Sequence, residues 1–317
     1  MKILITGVHG FVGSNLVGTL SKEHTIYGLD IIGPDKDGVS RTFSWECLEK
    51  DGIIPDVDAI IHLAGKAHDT KNQSTAESYF KVNRDLTVKI FDYFMIHPNI
   101  KKFIFFSTAK AAADRVEGVL TEDVEPMPCG PYGESKIAAE RYILGSMAKS
   151  PDLFADRSIY IFRPCMIHGP GNKGNLNLLY NVVKKGFPWP LGAFENRRTF
   201  TSVENVCFAV NGVLTNDVES GIYNLGDDEA LSTNELIEEI CGSLGKRPRI
   251  WKLPKGLMNC VARLGGLLNL PLNPDRLQKL TENYVASNAK IKDALGVENM
   301  PVNARQGLIA TLESFSD

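Results

Sequence analysis

The opening residues constrain this chain more than any other stretch. Lys2-Ile3-Leu4-Ile5-Thr6 reads as a strand and runs into Gly7-Val8-His9-Gly10-Phe11-Val12-Gly13. Glycine recurs there as G-x-x-G-x-x-G, ahead of a helical stretch near 11–22. In such a strand–turn–helix the first glycine permits the tight turn and the second lets backbone approach a pyrophosphate. The third lets the helix lie close on the strand, and the helix start adds free N–H groups and a positive dipole end. Glycine triplets also occur as plain structural turns, so the context decides. Asp30 ends the next strand candidate, 23 residues beyond Gly7. A carboxylate there accepts hydrogen bonds from a ribose 2′-hydroxyl and repels a 2′-phosphate. Ile31 and Ile32 follow where a chain selective for NADP would often carry arginine. The pattern predicts an NAD(H) site.

Further strand candidates at 25–29, 59–63, 102–107 and 158–163 alternate with helical stretches near 75–97 and 133–149. Several strands are apolar on consecutive residues, as expected where both faces of a parallel sheet are covered. The alternation predicts an α/β fold with an open, doubly wound parallel sheet, whose ligand sits beyond the carboxyl ends of the strands. The texture changes at Gly169-Pro170-Gly171-Asn172-Lys173-Gly174-Asn175, a loop cluster. Pro188-Trp189-Pro190-Leu191-Gly192 is a second one, and Ser232-Thr233-Asn234-Glu235 reads as a capping box. The reading therefore divides the chain into an NAD-binding domain over 1–168 and a smaller α+β region over 169–317. That second region mainly binds substrate and can send segments back to the first.

Composition excludes more than it assigns. The 35 basic and 38 acidic residues leave a net charge of −3, giving no reason to expect nucleic acid or an anionic membrane as partner. No apolar run approaches the roughly 18 residues of a membrane-spanning helix. The start enters the glycine turn directly, leaving no secretory core, so a soluble cytoplasmic protein is expected. The six cysteines lie at least 19 positions apart, so no C-x-x-C pair exists. Cys165 and His168 form the one local Cys/His pair, and no metal is expected.

Tyr132-Gly133-Glu134-Ser135-Lys136 stacks a phenol and an ammonium at i and i+4 on one helix face. A tyrosine ionises near pKa 10, too high for a base at neutral pH, and a neighbouring cation favours the phenolate. The pair alone could be a surface tyrosine beside a lysine. Upstream, however, Phe105-Phe106-Ser107-Thr108 ends a strand and brings hydroxyls to the carboxyl edge of the sheet.

Taken in order, Gly7/Gly10/Gly13, Asp30, Asp58-Ala59-Ile60-Ile61-His62-Leu63-Ala64-Gly65, Ser107-Thr108 and Tyr132…Lys136 resemble the extended short-chain dehydrogenase/reductases. The likeness is to their NAD-dependent epimerase/dehydratase group, which acts on nucleotide sugars. It extends through Arg163-Pro164-Cys165-Met166-Ile167-His168-Gly169-Pro170-Gly171, Arg198 to Val206, and Tyr223-Asn224-Leu225-Gly226. The resemblance implies a Rossmann-type sheet. It also implies a cofactor site of Gly7, Gly10, Phe11, Val12, Gly13, Asp30, Ile31, Leu63, Ala64, Gly65, Asn83, Ser107, Tyr132, Lys136 and Pro164. Thr108, Tyr132 and Lys136 become the catalytic set. Thr108, Asn175, Arg198 and Arg276 become substrate-binding residues, with the guanidinium fork of Arg198 suited to a diphosphate. For Arg197 and Arg276 a solvated charge is an equal reading. By the same analogy the protein is a homodimer through the helices near 75–97 and 133–149.

The departures narrow the chemistry. Sugar 4,6-dehydratases of the group typically follow the catalytic threonine with Asp-Glu, whereas this chain has Ala109-Lys110, which speaks against dehydration. Ala111-Ala112-Ala113 stands where an aromatic residue is usual, and His168 replaces a usual tyrosine. The leading reading is an NAD-dependent nucleotide-sugar 4-epimerase acting through a transient 4-keto sugar, on a UDP-hexose or UDP-N-acetylhexosamine. An NAD(P)H-dependent 4-ketoreductase of surface polysaccharide synthesis would use the same residues and release its cofactor each turn. A non-catalytic NAD-binding scaffold is a third reading, opposed by the intact Thr108, Tyr132 and Lys136.

Overall fold

The computed structural model describes all residues except 51, 67–73, 173, 269–271 and 316–317; of Asp275 only the backbone is described. Lys173, within the first loop cluster, therefore lies outside the described residues. The chain begins β1 (Lys2–Thr6), α1 (Phe11–Leu20), β2 (Thr25–Leu29), β3 (Arg41–Phe43) and β4 (Ala59–His62). Next come α2 (Ala76–Phe80), a π-helical turn at Lys81–Asp85 and α3 (Leu86–Ile96). The first half closes with β5 (Lys102–Phe106), α4 (Ala109–Ala112), β6 (Val119–Leu120), α5 (Pro131–Lys149), β7 (Ser158–Pro164) and β8 (Met166–His168).

The second half carries α6 (Asn175–Lys184), β9 (Phe200–Ser202), α7 (Val203–Thr215) and β10 (Gly221–Leu225). It ends with α8 (Thr233–Ser243), α9 (Lys255–Leu267), α10 (Pro274–Thr281), β11 (Val285–Ala286), α11 (Ala289–Leu295) and α12 (Ala304–Glu313).

Seven strands form one wholly parallel sheet in the order β10-β7-β5-β4-β1-β2-β3. The doubly wound α/β architecture is the one expected. Strand order reverses direction between β1 and β4, which opens the crevice where ligands of such sheets bind. The unbroken apolar strand runs have a simple cause. Ile3, Ile5, Ile61, Ile104, Phe106, Tyr160 and Phe162 enter one core, with α1 and α7. Their neighbours Leu4, Ile60, Phe103, Phe105, Ile159 and Ile161 enter the other, with α3 and α5. Successive side chains point to opposite faces, and both faces are covered.

Two differences from the sequence reading bear on the site. The single helix expected near 75–97 contains a π-helical turn at its middle. β3 and β10 join the sheet although neither stood out as a strand run. Beyond residue 169, α7 and β10 return to build the first core. A distinct third core gathers α6, α8, α9, α10 and α12. The capping box is present as read: Ser232 Oγ accepts from Glu235 N at 3.1 Å while Ser232 N donates to Glu235 Oε2 at 2.8 Å.

Candidate active site

The glycine loop is shaped by close approach. Gly7 holds φ +69°, and a Cβ there would lie 3.0 Å from Ala64 backbone. A Cβ on Gly13 would fall 2.4 Å from Gly7 O, closer than any side chain tolerates. Gly10 caps α1 with no side-chain bond, so the helix start keeps free N–H groups. Asp30 lies beside this loop at the end of β2. Its Oδ2 accepts from His9 N at 3.0 Å and its Oδ1 from Ile31 N at 2.7 Å. Each oxygen keeps a lone pair for a ribose hydroxyl. A cradle that excludes Cβ atoms, an uncapped helix start and an adjacent carboxylate together fit a dinucleotide.

Under this loop runs a buried chain of hydrogen bonds absent from the sequence reading. Ala64 N donates to Thr6 Oγ1 at 3.0 Å, Thr6 meets His62 Nδ1 at 2.7 Å, and His62 Nε2 meets Thr87 Oγ1 at 2.9 Å. Thr87 donates onward to Asn83 O at 2.7 Å. That last donation fixes the sense of the chain: Nε2 carries the proton and Nδ1 accepts from Thr6. His62 is thus a neutral structural histidine. Full burial, with Lys136 nearby, holds its pKa well below the ordinary value.

The π-helical turn explains Asn83. It turns Asn83, fully buried, toward the β4 edge, where Oδ1 accepts from Lys66 N at 2.7 Å. Its Nδ2 donates to Lys66 O at 3.1 Å and to Ser135 Oγ at 3.0 Å. A Cβ on Gly65 would lie 3.1 Å from both Asn83 Oδ1 and Lys136 Nζ. Gly65, Asn83 and Lys136 therefore converge at one point. Leu63 and Ala64 reach the same edge, and Pro164 ends β7 nearby in the sheet. Phe11 and Val12 open α1, whereas Ile31 stands 86% exposed at the rim.

Thr108 caps α4, its hydroxyl accepting from Lys110 N at 3.3 Å. Its hydroxyl also lies close enough to the phenol of Tyr132 to act on that group's pKa. Tyr132 stands in the first turn of α5 with Tyr79 edge-on at 6.2 Å. Lys136 is buried one turn on, its Nζ donating to Phe106 O at 2.8 Å. Burial brings its pKa down to about 8, with the Glu140 carboxylate opposing. Tyr132 lies above its ordinary value here rather than below it. Burial raises it and the Thr108 hydroxyl only partly offsets this.

Ser107 faces inward and donates to Glu140 Oε1. Glu140 is clasped by Arg163, with Nη2 2.6 Å from Oε2 and Nε 3.1 Å from Oε1; both residues are buried. Arg163 opens a motif of the family resemblance, but its pairing with Glu140 was not expected from sequence. The i+4 step from Lys136 to Glu140, and an arginine inside the apolar strand 158–163, were the available signals.

The second half closes over this edge. Arg198 is half-buried, bridged by its backbone to Leu231 and Tyr284, with Nη1 donating to Lys279 O at 2.7 Å. Arg197 is exposed and pairs with Glu235 at 3.5 Å. Asn175, at the start of α6, and Arg276, in the first turn of α10, are both exposed. Ala109, Ala112 and Ala113 pack with Cys165 and Tyr284, whose hydroxyl donates to Ala113 O at 2.8 Å. An aromatic residue absent from 111–113 thus packs against that segment from position 284. His168 is structural: Nδ1 meets Thr311 Oγ1 at 2.9 Å and Nε2 lies 3.6 Å from Asp227 Oδ2. Among the described residues, no group of three or more His, Cys, Asp or Glu side chains could hold a metal ion.

The NAD dependent epimerase/dehydratase family model matches residues 3–226, and the chain belongs to that family. UDP-glucose 4-epimerase of Vibrio cholerae is 28% identical over 334 residues, covering 99% of this chain and 95% of that protein. N-acetyl-alpha-D-glucosaminyl-diphospho-ditrans,octacis-undecaprenol 4-epimerase of Escherichia coli O157:H7 is 28% identical over 331 residues, covering 98% and 94%. The solved structure of MoeE5 in complex with UDP-glucuronic acid and NAD shares the fold at a TM-score of 0.77 and 22% identity, covering 100% of this chain and 99% of that one. The protein is an enzyme of this NAD-dependent family, as its resemblance implied.

Proposed function

We propose that the protein is a nucleotide-sugar 4-epimerase whose substrate is a UDP-hexose or UDP-N-acetylhexosamine. The observation that carries this reading is that Thr108 at the cap of α4, Tyr132 in the first turn of α5 and buried Lys136 one turn on gather at one sheet edge, with Lys136 beside Gly65 and Asn83. Tyr132 takes the proton of the C4 hydroxyl, and Thr108 hydrogen-bonds the same oxygen and holds the phenol in place. Bound NAD supplies the acceptor for the C4 hydride and a positive ring that favours the phenolate. Lys136 adds a second cation and is assigned the nicotinamide ribose, with Gly65 and Asn83 shaping the space around it. Arg198 anchors the diphosphate while the keto sugar turns over, with Asn175 and Arg276 as further contacts. Ala109 offers no proton and Lys110 is engaged by Asp114 at 2.6 Å, which sets the site apart from a dehydratase. Residues 1–168 with α7 and β10 serve the cofactor, and the third core carries the sugar nucleotide. Association into a homodimer through α3 and α5 belongs to the same reading.

The test is an assay of the purified protein with a panel of UDP-hexoses and no added cofactor. Interconversion at C4 is expected. Turnover only with a 4-keto sugar and stoichiometric NADH would mark a ketoreductase. NAD binding without turnover on either set would mark a scaffold.

A further inference from the structure

Helix α9 meets the rest of the protein along a narrow line, Met258, Ala262 and Gly265, spaced i, i+4, i+7. Its other apolar side chains face out. Leu257 is 51% exposed, Val261 42%, Leu264 59% and Leu267 81%, and Leu268 just beyond is 68% exposed. These positions also recur every three or four residues, so they form one continuous aliphatic stripe. Trp251 precedes them, 53% exposed. A stripe of this extent uncovered by the fold marks an interaction surface.

The local charge names the partner. Residues 246–268 hold Lys246, Arg247, Arg249, Lys252, Lys255 and Arg263 and no aspartate or glutamate, in a chain of net charge −3. All six cations are exposed. We propose that this face binds the surface of an anionic lipid bilayer, with α9 lying in the interface. A 13-residue helix spans only about 20 Å, too short to cross a hydrocarbon core of about 30 Å. Lying flat, it can place its leucines among acyl chains and its cations among phosphates. Trp251 has the amphipathic ring that favours this boundary. The exposed leucines stand on a convex helix, which suits a fluid acyl layer better than a shaped protein pocket. The whole-chain charge, which gave no reason to expect a membrane, averages this patch away.

The test uses the full chain loaded with NAD and sucrose-filled vesicles of phosphatidylcholine, alone or with about one third phosphatidylglycerol. Sedimentation with the anionic vesicles, little with the neutral ones, and release by high salt are expected. Leu264→Glu with Leu267→Glu is expected to weaken partitioning at least about tenfold. Because both side chains are exposed, the melting temperature and NAD affinity stay unchanged. Lys252→Glu with Arg263→Glu is expected to abolish the preference for anionic lipid. No sedimentation with anionic vesicles would overturn the proposal, as would sedimentation unchanged in the leucine variant. A leucine variant that alters oligomeric mass, in a protein that ignores vesicles, would assign the face to a second copy and overturn it equally.

Discussion

Around β1, β4 and β5 the functional atoms are backbone groups or buried side chains, each held by at least one other buried partner. Asn83 is bonded to Ser135, Lys136 to the carbonyl of Phe106, and Ser107 to the Glu140 carboxylate that Arg163 holds. The residues assigned to the diphosphate are placed differently. Asn175 and Arg276 stand exposed on helix starts, and Arg198 is half-buried with one guanidinium nitrogen on a carbonyl. The residues proposed for the cofactor are thus held by close packing and buried bonds, whereas those proposed for the diphosphate stand nearer the surface.

The largest expected effect probes the rigid region at its chemical tip. Tyr132→Phe should lower the rate of interconversion by about 10²–10⁴-fold, the usual worth of a positioned base, with NAD affinity nearly intact. Titration of NAD alongside steady-state rates separates the two. One layer down, Arg163→Met leaves the Glu140 carboxylate buried without its cation and should cost about 3–5 kcal/mol of stability, read by denaturant unfolding. If the substrate region is held as loosely as its exposure indicates, Arg198→Ala should barely change stability. It should raise KM for the sugar nucleotide about 10- to 100-fold, the worth of a charged hydrogen bond, and leave NAD binding alone.

A pair of glycines in α1 sharpens the steric claim. Gly13→Ala pushes a methyl onto Gly7 O and should cost about 1–3 kcal/mol. Gly18→Ala meets nothing within 4 Å and should add up to about 1 kcal/mol, because alanine is the better helix former. The smallest effect is in pH. Lys136 is an ammonium below about 8 and loses its charge as pH rises through that value. The pH–rate profile should therefore decline on the alkaline side from about pH 8, and Lys136→Met should remove that limb along with most of the rate.

The same contrast explains how much the sequence revealed. The glycine spacing, Asp30, Tyr132 and Lys136 were legible because steric exclusion and helical stacking leave marks at fixed intervals. The five strand runs were legible because a sheet covered on both faces demands apolar residues at every position. β10 was not, since Tyr223-Asn224 interrupts its apolar run, and Asn224 finds partners only from Glu122 and Leu120 across the fold. The pairing of Glu140 with Arg163 was not legible because their burial depends on each other, which no local pattern encodes. Tyr284 lies 171 positions from the carbonyl it bonds, so its place against Ala113 is purely tertiary. The lowered tyrosine pKa expected from the Lys136 spacing gave way to burial, which local spacing cannot measure.

The central claim is that hydride leaves C4 and returns to it within one bound complex. Purified protein given a UDP-hexose deuterated at C4, with no nucleotide added, tests it directly. The account predicts that the C4 epimer forms with deuterium retained at C4. Loss of the label to solvent, or product that forms only when NADH is supplied, would contradict it.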